Sequence, residues 1–311
     1  MSSMGLDEQR LHLLALCGIP ELSWYLVARE AQRPGGLGRL LQGEVSEKSD
    51  EASAARFVLR KHVGHLDLAR ARDEVTRAVD AGAKLTTVLD DDYPANLRVI
   101  FNLPPFLFYK GTLQPDDAYA VAVVGTRNPS PAGVKRARSM AKALAERSVT
   151  VLSGLARGID TAAHEATLAA GGRTIAVMGT GILSVYPKEN GDLAGRIAAQ
   201  GAIVSQFWPT APPSRYNFPR RNVVTSGLGQ GTVVIEATKT SGAKMQARLA
   251  LQHGKMVFLI KSLVTQKWAQ DYLEKGAVEV SSVQDVVGSL RSPEQVEALT
   301  LQRRQLVLDL A

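Results

Sequence analysis

The feature that most constrains this chain is a change of hydrophobic period near residue 117. Beyond it, short runs rich in β-branched residues at 120–124, 149–152, 174–178, 203–205, 232–235 and 256–260 alternate with stretches of helical spacing. Apolar runs of this length, each followed by an amphipathic helix, are the pattern of parallel strands whose helical crossovers cover both faces of one sheet. The expected fold class is α/β, a doubly wound and mostly parallel sheet.

Upstream the pattern is helical. Apolar residues recur at spacings of three and four in Leu11, Leu14 and Ala15 and again in Leu22, Leu26 and Val27. Gly18-Ile19-Pro20 and the Pro34-Gly35-Gly36 stretch punctuate these helices. Residues 1–80 therefore read as a small helical domain and 81–117, with Tyr93-Pro94 and Pro104-Pro105, as an extended connector and the start of the α/β domain. Residues 118–281 form the α/β domain, and 282–311, with a helix start at Ser292-Pro293-Glu294, a short helical extension.

Composition narrows the partners. Thirty-seven Lys and Arg against 30 Asp and Glu give a net charge of +7, which biases the surface toward polyanions such as nucleic acid. The single Cys17 forms no internal disulfide and lies in an apolar run, so it reads as a buried inert thiol in a reducing compartment. No apolar run reaches the ~18 residues of a membrane-spanning helix, and the first ten residues lack a signal-peptide pattern, so a cytoplasmic location is expected.

In doubly wound sheets ligands bind beyond the carboxyl ends of the strands, where free N–H groups of helix N-termini attract anions. Three loops fit that place. In the first, Gly125 permits close approach, Thr126 offers a hydroxyl and Arg127 a bidentate phosphate fork; alone it is equally an ordinary glycine turn. The second runs Ser153-Gly154-Leu155-Ala156-Arg157-Gly158-Ile159-Asp160, where Asp160 is placed to cap the helix carrying His164. His164 reads as a core histidine supporting that loop in preference to a general base. The third holds Phe218, Arg220, Arg221 and Asn222, an aromatic beside two guanidinium groups that suits base stacking and phosphate contact, against the plainer alternative of a core Phe with solvated charges. Glu236 at a strand end leads to Ser241, Gly242 and Lys244, which extend the positive pocket. No zinc spacing, phosphate-binding lysine loop, nucleophile elbow or dinucleotide fingerprint occurs, so no metal, cofactor or catalytic residue is assigned.

The order of Tyr93-Pro94, Pro104-Pro105, Gly125-Thr126-Arg127, the loop from Ser153 to Asp160, His164, Tyr186-Pro187, Phe218-Pro219-Arg220-Arg221-Asn222 and Ser241-Gly242 resembles the DNA-processing protein A (DprA/Smf) family over residues 75–280. The resemblance implies an extended Rossmann domain, an N-terminal helical domain of sterile-alpha-motif or helix-hairpin-helix type, and a non-enzymatic protein of natural transformation. Such a protein binds single-stranded DNA, usually dimerises and loads a RecA-type recombinase. By position, Arg127 and the loop of Ser153, Gly154, Ala156, Arg157 and Gly158 would hold phosphates, with Phe218, Arg220, Arg221 and Asn222 as the strand-binding rim. Asp160, His164 and Glu236 would be supporting residues. This chain departs from the family at Val223, Gln206, the Ala243-to-Ala247 stretch and Lys261-Ser262. Those departures motivate an alternative, a nucleotide-binding sensor or nucleotide hydrolase of the wider superfamily in a phage-defence or toxin–antitoxin-like system. An operon-encoded protein partner is a third.

Overall fold

The computed structural model describes residues 6–302 apart from 239, 293, 297 and 300. The expected C-terminal extension therefore falls partly outside the described residues, including Pro293 of its helix start and everything beyond residue 302. Five helices open the chain: α1 (Glu8–Cys17), α2 (Trp24–Ala31), α3 (Gly36–Leu41), α4 (Asp50–His62) and α5 (Leu68–Asp80). Four begin at a residue whose side chain takes a free backbone N–H: Asp7 from Arg10, Ser23 from Leu26, Ser49 from Ala52 and Asp67 from Arg70. Leu14, Leu26, Leu40 and Leu59 from these helices are fully buried. Cys17 is buried with them, and burial pushes its thiol pKa up, away from reactivity.

The α/β part then runs β1 (Lys84–Thr87), α6 (Ala95–Arg98), β2 (Phe106–Gly111), β3 (Ala120–Gly125), α7 (Pro131–Ala145), β4 (Thr150–Ser153), α8 (Ile159–Ala169) and β5 (Thr174–Val177). It continues with α9 (Gly191–Gln200), β6 (Ala202–Ser205), α10 (Asn217–Leu228), β7 (Gly231–Glu236), α11 (Gly242–Gln252), β8 (Met256–Ile260), α12 (Lys267–Leu273), β9 (Val278–Val280) and α13 (Val283–Val287). One nine-stranded sheet results, in the order β1-β2-β6-β5-β4-β3-β7-β8-β9. Its pairings from β6 to β9 are parallel, while β1 with β2 and β2 with β6 are antiparallel. The doubly wound, mostly parallel α/β fold read from the sequence is the fold of this protein.

The stretch expected to connect the two halves does more than connect. Its prolines lie outside the strands they flank, so β1 and β2 lose no ladder donors, and the Pro105 carbonyl accepts from Val88 N at 3.0 Å. Phe106, Leu107 and Phe108 are fully buried: β2 pairs on both edges, and with successive side chains on opposite faces both faces of the strand are covered. The helical region rests on this edge through Trp24, whose ring lies 5.1 Å from Phe106 and 6.2 Å from Trp208, centroid to centroid. Trp24 Nε1 donates to the Cys17 carbonyl at 2.7 Å, and Thr210 donates to Glu74 of α5 at 3.0 Å.

Candidate functional site

Strand β3 pairs with β4 on one side and β7 on the other, so the chain's winding direction reverses across it. At such a switch point the helices leave in opposite directions and open a crevice above the carboxyl ends. A pocket of about 510 Å³ occupies it here. Gly125 at the end of β3 lines it with Thr126, Arg127 and Asn128 of the loop that follows, and Gly154 and Ala156 line it from the loop after β4, with Asp160 from the first turn of α8. Thr238, Thr240, Ser241 and Gly242 close the opposite wall, with Met245 and Gln246 from α11.

The floor belongs to α10. Phe218, Arg221, Asn222 and Thr225 stand at i, i+3, i+4 and i+7, one face of a helix, and all four line the pocket. Arg221 is only 7% exposed; its Nη1 donates to the Val177 carbonyl at 2.8 Å and its Nε to Asn222 Oδ1 at 3.2 Å. That seat requires Gly154, because a Cβ there would lie 1.7 Å from Nη1. Asp160 accepts from the backbone N–H of Gly154 at 3.1 Å and of Ala156 at 3.4 Å, which fixes the loop over the guanidinium. Burial raises the Asp160 pKa, opposed by Arg221 and the two N–H groups; burial lowers that of Arg221, opposed by Asp160.

At the mouth, the guanidinium of exposed Arg127 lies 5.3 Å from the Phe218 ring centroid, and Tyr186 lies 5.7 Å from Phe218. A cation and two aromatic faces thus adjoin the opening, the combination that grips a strand by phosphate and base together. Gly158 makes this loop pairing possible. Its φ of 80° is unfavourable for L-residues, and a Cβ there would meet the Thr126 carbonyl oxygen at 2.6 Å.

A family model described as DNA recombination-mediator protein A matches residues 84–291, about two-thirds of the chain. The chain belongs to that family. It is 39% identical over 204 residues to the DNA processing protein DprA of Streptococcus pneumoniae, covering 65% of this chain and 72% of that protein. The crystal structure of DprA from the same species matches with a TM-score of 0.73 and 31% identity, over 93% of this chain and 99% of that one. Against the protein Smf of Escherichia coli identity is 38% over 203 residues, 64% of this chain, and the chain spans only 54% of Smf. A structure of DprA from Helicobacter pylori, described for its single-stranded DNA binding mode, matches with a TM-score of 0.58 and 26% identity over 66% of this chain and 95% of that one.

Not every residue read from the DNA recombination-mediator protein A motifs lines the pocket. Arg220 is off phase on α10, and its guanidinium lies over Trp24 at 5.2 Å and Phe207 at 5.7 Å, toward the helical region. Arg157 is exposed and paired with Glu189. Buried Ser153 donates its hydroxyl to the Val123 carbonyl at 2.7 Å, bracing two strands. Lys244 stands outside the lining, its carbonyl accepting from the Tyr272 hydroxyl at 3.2 Å. Asp160 does not cap α8: Gly158 holds the cap position, and the carboxylate turns back to the preceding loop. His164 is fully buried, with Nδ1 2.7 Å from Thr174 Oγ1. Glu236 accepts from the N–H and hydroxyl of Ser130, the residue that caps α7. Of the departures from the family pattern, Gln206 donates to the Arg220 carbonyl at 2.5 Å, and Gln246 enters the pocket wall. Sequence reasoning did not place Thr225 in the site, and used Tyr186 only as part of the Tyr186-Pro187 family motif. The i+7 spacing from Phe218 marks Thr225, whereas only the fold brings Tyr186 to Phe218.

Proposed function

We propose that this protein holds single-stranded DNA across the pocket at the β3 switch point and passes the strand to a RecA-type recombinase. The observation that carries the reading is Arg127 stacked beside Phe218 at the mouth, with the buried cation Arg221 one helical turn inside. In this reading Arg127 and the N-terminal turn of α11 at Ser241 and Gly242 take phosphates, Phe218 and Tyr186 stack bases, and the net charge of +7 gathers the polyanion. The single-stranded DNA binding mode described for the Helicobacter pylori relative supports it. In this reading the protein is not an enzyme, which is supported by the Asp160 carboxylate holding two backbone N–H groups and by His164 being sealed from solvent. Transfer to the recombinase, dimerisation, a cytoplasmic location and a role in natural transformation rest on the family resemblance. Residues 1–80 are proposed as a separate helical domain docked on the sheet edge.

One observation favours a second reading. A pocket of about 510 Å³ is also of a size for a single nucleotide. Fluorescence anisotropy of labelled oligothymidylate across a salt series, with duplex DNA and mononucleotides as competitors, separates the two. Strand binding requires affinity that falls steeply with salt as condensed counterions are released, and resists mononucleotide. Salt-independent binding, or displacement by mononucleotide at comparable concentration, refutes it.

A further inference from the structure

We infer that the pocket reads base identity as well as the backbone, accepting the O6/N7 edge of a keto purine stacked on Phe218 and rejecting the amino edge of adenine. The inference rests on the strand-binding reading above. It begins from the helix face that carries Phe218, Arg221 and Asn222 together into the pocket, so that a base on the ring meets the other two at its edge.

Hydrogen-bond accounting on that face leaves donors. Arg221 Nε has only a proton to offer, so the Asn222 atom 3.2 Å away must be the carbonyl Oδ1, which fixes Nδ2 as the remaining group of the amide. Asn222 is 9% exposed, and among the described residues no acceptor takes Nδ2. Arg221 spends the N–H of Nε and one of Nη1 on the protein, which leaves both N–H groups of Nη2 and the second of Nη1. Asp160 Oδ2 takes the Gly154 and Ala156 N–H groups, and the Gln246 amide, in the orientation that satisfies both its ends, donates to the Asn222 main-chain carbonyl at 3.3 Å and accepts from Ser226 N at 3.2 Å.

Charge decides what those donors hold. A phosphate at Arg221 would face the Asp160 carboxylate in the same buried space, whereas a neutral carbonyl or ring nitrogen meets the two donors without that repulsion. Phosphate suits Arg127, which is exposed and has no carboxylate partner among the described residues. Guanine and hypoxanthine present two adjacent acceptors, O6 and N7. Adenine replaces O6 with an amino group, which sets a donor against a donor.

The test compares two labelled oligothymidylates that differ only in a central run of deoxyinosine or deoxyadenosine, which avoids guanine self-association. The inosine strand is expected to bind about tenfold more tightly, the size of one good edge contact. Asn222→Asp keeps the acceptor for Arg221 Nε but removes the donor, and should bring the inosine-to-adenine ratio to one or below in the same preparation. Equal binding of both strands by the wild-type protein, with oligothymidylate binding intact, overturns this inference and leaves the strand-binding reading standing. A ratio that survives in Asn222→Asp also overturns it. Failure to bind any of the strands overturns both readings.

Discussion

Replacing His164 with leucine should flatten the acid limb of the protein's stability curve. Thr174 donates its only proton to the Val151 carbonyl at 2.6 Å, so its oxygen must accept from His164 Nδ1–H at 2.7 Å. Nε2 is then the unprotonated nitrogen, fully buried and without a partner among the described residues. Protonating it would place a second cation near Arg221 with no acceptor, so burial and that charge lower the His164 pKa from 6.5 to about 3. The unfolded chain therefore binds the proton first. Stability is fully present above the unfolded value and falls with pH through the window from 6.5 down to about 3. At about 1.4 kcal/mol per pH unit, His164 alone removes ~2 kcal/mol between neutrality and pH 5. Urea unfolding of wild type and His164→Leu at neutral pH and at pH 5 measures this. The variant should lose ~2 kcal/mol less than wild type over the interval, whatever its stability at neutral pH. His253, lowered to about 4 mainly by burial, has the same sign but is common to both proteins and cancels in the difference. Identical acid losses in the two proteins would refute the argument.

Arg127→Ala should weaken oligothymidylate binding and reduce the slope of log affinity against log salt by about 0.7 while leaving the melting temperature unchanged, by anisotropy and calorimetry; an unchanged slope would move the phosphate contact elsewhere. Gly158→Ala should destabilise the fold by ~1–3 kcal/mol in denaturant titrations and lower DNA affinity, because its Cβ displaces the Thr126 and Arg127 carbonyls; wild-type stability would show that the loop accommodates the methyl. Glu189→Gln releases exposed Arg157 from its ion pair and should tighten strand binding a few-fold at low salt, with no gain at high salt. An equal gain at both salt concentrations would mean that Arg157 does not meet phosphate.

How far the sequence could be read depended on how local each cause was. The six runs of β-branched residues became β3 to β8 because a strand buried on both faces needs an unbroken apolar segment, and that requirement is written in consecutive residues. Strands β1 and β2 escaped notice because β1 is only four residues long, Pro104-Pro105 lead directly into β2, and their pairing is antiparallel to strands distant in the chain. Strand β9 is three residues long, with its first two exposed, and carries too short a pattern to recognise. Arg220 and Arg221 show the limit within the site. As neighbours in the chain they read alike, yet a helix turns about 100° per residue, so one guanidinium enters the pocket floor and the other lies on Trp24 of the helical region.

By itself the sequence determined the doubly wound sheet, the glycine-rich loops at its carboxyl edge and the basic, aromatic character of what those loops meet, since each follows from residue type and local period. Only the tertiary structure decided which cation faces Asp160, which amide is left with a free donor and which aromatic stands beside Phe218. Those outcomes depend on groups far apart in the chain, Arg221 with Gly154 and Val177, Phe218 with Tyr186, brought together by the order of strands around the switch point. Burial then gives each contact its energetic weight, because a charge or donor removed from water must find its partner inside the protein or in the ligand.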